Sequence, residues 1–226
     1  MKLTYYGHAC FSVNINGKHI LFDPFITPNP LAKNVDIDTI AADYIFISHG
    51  HFDHVNDAVA IAKRTGAKVV ANWEIKDWFI KNGIENVHPL NPGGQWLFDF
   101  GWVKGTIAQH SSSMPDGSYG GVPGGFIFKT KEGNFYYSGD TGLTLDMQLV
   151  PKWVVPDFAV FPIGDNLTMG VDDAIEAAKM VNTTQVVGVH YDTFGLIMVD
   201  HKAAVEKFKA AGITLHLAAV GSTIDL

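Results

Sequence analysis

The sequence contains a single cysteine, Cys10, among its 226 residues. One thiol cannot form an intrachain disulfide, which fits a reducing compartment. The sequence also lacks any run of about 18 consecutive apolar residues, and the residues from Met1 to His8 lack the apolar core of a signal peptide. These absences predict a cytoplasmic protein that neither spans a membrane nor depends on disulfides.

Positive charge is also scarce, with 16 Lys and Arg against 23 Asp and Glu and a formal net charge of −7. Proteins that bind nucleic acid carry basic patches, so this balance argues against a nucleic-acid partner and favours a small-molecule substrate. Bound metal cations would change the local sign of the charge. The remaining composition, 47% hydrophobic and 17% charged residues, predicts a globular chain with a substantial core.

The most informative stretch is Ile47-Ser48-His49-Gly50-His51-Phe52-Asp53-His54, which brings three imidazoles and a carboxylate into six residues. It follows an apolar run that begins at Asp43, and this run predicts a buried strand that leads into a loop. Open α/β layers place their sites at the carboxyl ends of strands, and Zn²⁺ accepts neutral imidazole and carboxylate ligands. The stretch therefore predicts a metal site, with a surface cluster of histidines as the alternative.

The motif His49-x-His51-x-Asp53-His54 resembles the signature of the metallo-β-lactamase superfamily. Three further stretches resemble a small group of uncharacterised metal-dependent hydrolases within it: Gly7-His8-Ala9-Cys10-Phe11, Gly139-Asp140-Thr141-Gly142 and Gly164-Asp165-Asn166. The resemblance covers nearly the whole chain and specifies no substrate. It implies an α/β fold, the four-layered αββα sandwich of the metallo-β-lactamase type.

The order of the predicted elements suits the same architecture, because each half of the chain has β-hairpins followed by strands that alternate with helices. Asn16-Gly17 marks the turn of the first hairpin region, residues 2–22. The last helix, 200–211, is predicted to face inward with Val205 and Phe208, and the last strand is predicted at 213–220. The other predicted helices are 56–67, 73–82 and 172–181. No linker-like segment divides the chain, so we expect a single metallo-β-lactamase-like domain over residues 1–226.

Three further candidate ligands end other predicted strands, which brings the total to seven. The candidates are His49, His51, Asp53, His54, His110, Asp140 and His190. Seven is too many for one tetrahedral zinc but suits two metals with a bridging carboxylate. The resemblance implies two ligand sets and a bridge. The first set is His49, His51 and His110; the second is Asp53, His54 and His190; Asp140 is the bridge. Asp53 and His190 are also the candidate catalytic residues.

This pattern predicts a metal-dependent hydrolase in which two divalent ions lower the pKa of a bridging water to about 7. The resulting hydroxide would attack an ester, a lactone, a thioester or a related bond. Zinc is favoured, because the resemblance implies Glu at the position of His51 in di-iron oxidoreductases; manganese and iron stay open. Two alternatives also stay open: a phosphodiesterase or nuclease of the superfamily, and a metal-binding or sensor protein without catalysis.

Several other residues have more than one interpretation. His8 is either a core histidine or part of the pocket, and Asp23 is either a turn former or a carboxylate that supports a ligating histidine. His19, His201 and His216 are expected to lie outside the site. The candidate pocket lips are 24–43 and 111–125, in which Lys33 is the only cation. This lack of cations favours a carboxyl-derived or lactone substrate over a phosphodiester.

Overall fold

The computed structural model describes residues 1–226 and contains fourteen strands and six α-helices. The strands are β1 (Lys2–Gly7), β2 (Cys10–Ile15), β3 (Lys18–Phe22), β4 (Tyr44–Phe46), β5 (Lys68–Ala71), β6 (Val87–Pro89), β7 (Gln95–Phe98), β8 (Gly101–Ile107), β9 (Gly124–Lys129), β10 (Asn134–Tyr137), β11 (Phe158–Pro162), β12 (Gln185–Val189), β13 (Thr214–His216) and β14 (Thr223–Asp225). The helices are α1 (Phe52–Val55), α2 (Ala58–Thr65), α3 (Trp73–Lys81), α4 (Val150–Trp153), α5 (Val171–Met180) and α6 (His201–Ala210). Short 3₁₀ turns cover Ile37–Thr39, Leu145–Leu149 and Gly195–Ile197.

The strands form two seven-stranded sheets, with orders β14-β1-β2-β3-β4-β5-β6 and β13-β12-β11-β10-β9-β8-β7. Each sheet is antiparallel in its hairpin half and parallel in the half whose strands alternate with helices. None of the helices is long and apolar enough to cross a membrane.

Three apolar layers hold the sheets and helices together. The layer between the sheets is rich in aromatic residues, among them Phe22, Phe46 and Phe128. A second layer packs α5 and α6 on the second sheet, and a third packs α2 and α3 on the first sheet. Burying one such phenylalanine contributes about 1.5–3 kcal/mol to stability. This arrangement, two sheets face to face with helices outside, confirms the αββα sandwich.

The strand directions place the candidate ligands at one edge of the sandwich. Asp23 follows β3, and the metal motif follows the parallel neighbour β4. In the second sheet His110, Asp140 and His190 follow β8, β10 and β12, which all run in one direction. The main chains of the two sheets also meet at this edge, where Gly124 N donates to Ser48 O at 3.0 Å and His190 N donates to His8 O at 2.8 Å.

The structure differs from the sequence-based expectations in three places. The metal motif is not a plain loop, because Asp53 and His54 lie in the one-turn helix α1. The last predicted strand, 213–220, is only Thr214–His216, and β14 adds a strand to the opposite sheet. Phe208 is buried as predicted, but Val205 is 37% exposed, and Ala204 takes its place in the packing of α6. Residues four apart share a helical face, whereas Val205 is rotated away from it.

Candidate metal centre

The structure brings six of the seven candidate ligands into two adjacent groups, and the seventh, Asp140, lies between them. In each group the ligand atoms lie within 4.8 Å of one another. The first cluster is His49, His51 and His110. The second cluster is Asp53, His54, His190 and, in addition, His8. The two clusters bring together the residues of the two ligand sets that the resemblance implied, with His8 in addition.

Asp140 lies between the two clusters. Its Oδ2 atom is 2.9 Å from His190 Nε2 and 3.2 Å from His54 Nε2 in the second cluster. The same atom is 3.8 Å from His110 Nε2 and 3.9 Å from His49 Nε2 in the first cluster. One carboxylate oxygen therefore faces nitrogen atoms of both groups.

Asp140 reaches this position because the preceding residue is glycine. Gly139 has a φ of 63°, a backbone conformation that favours glycine. A Cβ atom there would come within 2.5 Å of Gly124 O and within 2.9 Å of Ser48 Cβ. Any larger residue would push β10 away from the neighbouring loops and move Asp140 with it.

Two buried atoms indicate that the centre is built for a cation. His54 Nε2 and Asp140 Oδ1 are both buried, and neither has a hydrogen-bond partner. Buried polar atoms nearly always have a partner, so an unsatisfied nitrogen and an unsatisfied carboxylate oxygen in one site call for an explanation. Imidazole nitrogens and carboxylate oxygens are suitable ligands for zinc and related divalent ions. The residues present fit such ions.

Asp23 is a buried carboxylate that bonds to His54, a candidate ligand. This agrees with the second of its two sequence-based interpretations, a carboxylate that supports a ligating histidine. Its Oδ2 accepts hydrogen bonds from Ser48 Oγ at 2.5 Å, Tyr137 Oη at 2.6 Å and His54 Nδ1 at 2.9 Å. Its Oδ1 accepts one from Ser48 N at 2.8 Å. The bond from His54 Nδ1 leaves the lone pair of Nε2 free to face the centre.

Ser48 extends this support to the first cluster. Its hydroxyl hydrogen is donated to Asp23, so Ser48 Oγ accepts the hydrogen of His49 Nδ1, which lies 3.0 Å away. That bond fixes the tautomer of His49 in which Nε2 carries the lone pair. A single buried carboxylate thus sets the ligating nitrogen of His54 directly and that of His49 through one hydroxyl.

His8 holds Asp53 in place from the protein interior, which decides between the two sequence-based interpretations in favour of a core histidine, because His8 does not line the cavity. The side chain is fully buried, with Nε2 2.9 Å from Asp53 Oδ2 and Nδ1 3.0 Å from Thr193 Oγ1. Burial and the adjacent His190 lower the pKa of His8 to about 4. His8 is therefore neutral at pH 7, donates its one N–H to Asp53 and accepts from Thr193. The sequence signal was Gly7-His8, but this contact spans 45 residues.

Burial also sets the protonation of the ligands. It lowers the pKa of each histidine of the first cluster, and neighbouring imidazoles add to that effect. Burial would raise the pKa of Asp140, but His190 and His54 bring it well below its ordinary value. Burial would likewise lower the pKa of His54, but Asp140 and Asp53 raise it well above its ordinary value. The two carboxylates therefore favour a positive charge at His54.

A cavity of about 770 Å³ opens onto the centre. Five candidate ligands line it: His51, Asp53, His110, Asp140 and His190. The predicted lip 111–125 contributes Ser111, Ser113, Met114 and Pro115, whereas the predicted lip 24–43 contributes nothing. The remaining lining residues, Phe52, Leu167, Phe194 and Leu196, are apolar and were not singled out in the sequence. The lining contains no lysine or arginine.

The family model for the Beta-lactamase superfamily domain matches residues 2–190 of the chain. The chain belongs to this superfamily. It is 50% identical over 226 residues to a UPF0173 metal-dependent hydrolase from Flavobacterium johnsoniae, and the match covers 100% of both proteins. The superfamily member described here is accordingly a metal-dependent hydrolase.

Solved structures agree with this membership. Igni18, a metallo hydrolase from Ignicoccus hospitalis, is 34% identical and superposes with a TM-score of 0.89, covering 99% of this chain and 97% of its own. An isothiocyanate hydrolase from Delia radicum gut bacteria is 22% identical, with a TM-score of 0.81 and coverage of 100% and 99%. The second likeness shows the fold alone.

Proposed function

We propose that this superfamily member is a binuclear metallohydrolase acting on a carboxyl-derived bond: an ester, a lactone or a thioester. The observation that carries this proposal is the position of Asp140 Oδ2, 2.9 Å from a nitrogen of the second cluster and 3.8 Å from a nitrogen of the first. A carboxylate between two ligand groups suits a site for two cations, because it can contact both.

In this proposal His49, His51 and His110 hold one divalent ion, and Asp53, His54 and His190 hold the other. When bound, the two ions supply a water-derived nucleophile at neutral pH and stabilise the negative charge that develops on the substrate. The predominance of imidazole ligands favours zinc, with manganese and iron as the alternatives.

Asp53 and His190 are the members of the second ligand set that reach the cavity wall, whereas His54 is fully buried behind them. We therefore assign to Asp53 and His190 the contacts with the reacting group. His8 holds the Asp53 carboxylate at 2.9 Å, so the orientation of Asp53 does not depend on the substrate. Preorganised polar groups of this kind lower the barrier because they need not reorganise during the reaction.

A phosphodiester substrate is the second candidate, but the cavity does not favour it. Phosphate sites usually present Arg, Lys or a helix N-terminus to the anion. The lining of this cavity holds neither Arg nor Lys and includes the carboxylates of Asp53 and Asp140.

The first prediction concerns metal-dependent hydrolysis. Protein treated with a chelator should lose the hydrolysis of p-nitrophenyl esters, lactones or thioesters, and added Zn²⁺ or Mn²⁺ should restore it. The screen should include bis-p-nitrophenyl phosphate. Activity confined to that phosphodiester would reverse the substrate assignment. Metal binding without hydrolysis of any of these classes would instead favour a sensor protein.

A further inference from the structure

Part of the cavity lining is apolar and yet exposed. Leu196 is 71% exposed, Phe52 51% and Leu167 46%, and all three line the same cavity. Scattered exposed apolar residues are normal, but several that share one concave site mark a binding surface. With Phe194 they form what we name the apolar wall: Phe52, Leu167, Phe194 and Leu196.

The aromatic half of the apolar wall is fixed to the metal centre. The Phe52 ring packs edge-on against the buried Phe25 ring at 5.5 Å, and the Phe194 ring packs edge-on against His8 at 5.4 Å. His8 in turn bonds to Asp53. The apolar wall is therefore connected to Asp53 through His8. Its aromatic half holds a defined position relative to the Asp53 carboxylate.

The leucine half of the apolar wall projects from two anchored turns. Leu196 lies in the 3₁₀ turn Gly195–Ile197, whose last residue, Ile197, is fully buried and donates its N–H to Phe194 O at 3.0 Å. Leu167 lies in a turn that Asp165 N closes by donating to Met169 O at 3.1 Å, and Met169 is fully buried. The two turns thus hold both leucines in place. Exposing these apolar side chains to water is unfavourable, and a bound apolar group would offset that free-energy cost.

The electrostatics agree with an apolar ligand. The cavity lining contains no lysine or arginine, and its acidic groups, Asp53 and Asp140, belong to the metal centre. A substrate that carried a negative charge along the apolar wall would find no partner there. The cavity volume of about 770 Å³ leaves room for a substrate much larger than the scissile ester group.

We propose that the substrate carries an uncharged apolar acyl chain, which lies along the apolar wall while its carbonyl group faces the metal centre. This rests on the proposed function and narrows it to esters, lactones or thioesters of apolar carboxylic acids. Hydrolysis breaks the bond from the acyl carbon to the leaving oxygen or sulfur and joins that carbon to the oxygen of water. One proton of the water goes to the leaving group and the other is released to solvent. The products are an apolar carboxylate and an alcohol or a thiol, and a lactone gives a single hydroxy carboxylate.

The test is a series of p-nitrophenyl esters from acetate to octanoate with the zinc-loaded enzyme. The leaving group is constant in this series, so a change in rate reports contacts made by the acyl chain. We expect kcat/KM to rise about two- to fourfold for each added methylene until the wall is covered, because burying a methylene contributes roughly 0.8 kcal/mol. Calorimetric titration should also show that hexanoate binds more tightly than acetate.

The variants Leu167→Ser and Leu196→Ser should flatten this series, with losses that grow with chain length. Both side chains are largely exposed, so the fold and the metal content should not change. Leu97→Ser is the matched control, because Leu97 is 73% exposed on β7 and lies outside the cavity. It should leave the slope of the series as it is.

The outcomes separate this inference from the proposed function. A metal-loaded enzyme that hydrolyses acetate, butyrate and octanoate equally well would overturn the apolar acyl chain and leave the hydrolase proposal intact. No hydrolysis of any ester, lactone or thioester would overturn the proposed function itself. A flat series in a dimer that Leu196→Ser dissociates would assign the apolar wall to self-association and likewise overturn the inference.

Discussion

Asp140→Asn is expected to lower kcat by about two orders of magnitude or more while the fold survives. The substitution keeps the volume of the side chain but removes a negative charge that faces both ligand clusters, at 2.9 Å and 3.8 Å. Losing one preorganised electrostatic group at a reacting centre costs roughly 10²–10³ in rate. The measurement is steady-state hydrolysis by zinc-loaded enzyme, with metal content determined in parallel.

The control for Asp140→Asn is His19→Ala. His19 is exposed at the start of β3 and belongs to neither ligand cluster. Its loss should change neither the rate nor the metal content. An Asp140→Asn enzyme with full activity and a full complement of metal would show that Asp140 is only part of the turn that follows β10.

Asp23→Ala is expected to reduce the free energy of unfolding by about 3–5 kcal/mol. Asp23 is fully buried and accepts hydrogen bonds from Ser48, Tyr137 and His54. Each buried donor left without a partner costs about 1–3 kcal/mol, and removing one member of a buried charged pair costs about 3–5 kcal/mol. Urea unfolding of the chelated protein gives the value without a contribution from bound metal.

Tyr137→Phe provides the comparison for Asp23→Ala. It removes one of the three side-chain donors and leaves the carboxylate with the others, so it should cost only about 1 kcal/mol. If Asp23→Ala were no more destabilising than Tyr137→Phe, Asp23 would not be the residue that holds His54 and Ser48 in place.

The layers of the fold could be predicted because the order of the predicted elements suits an αββα sandwich, and the resemblance implies the same architecture. Strands that alternate with helices could be predicted after residue 43. The apolar run before His49 predicted a strand that ends at the metal motif. His110 and His190 could be added because each follows a predicted strand in the order that the resemblance implies. Their roles as metal ligands stay predictions, although the structure places them within the two clusters.

Other features depend on contacts between residues that are far apart in the sequence. The bond from His8 to Asp53 and the four bonds to Asp23 join residues between 25 and 114 positions apart, and no local sequence pattern indicates them. The apolar wall was missed because Leu167 and Leu196 lie in turns, where exposed residues follow no period. The strand β14 has only three residues, too few for a recognisable alternation.

The most direct measurement of the central claim is anomalous diffraction at the zinc edge from crystals of the zinc-loaded protein. The proposal predicts two peaks, one among His49, His51 and His110 and one among Asp53, His54 and His190, with Asp140 in contact with both. A single peak at saturating zinc, with Asp53 and His54 not coordinated, would contradict it.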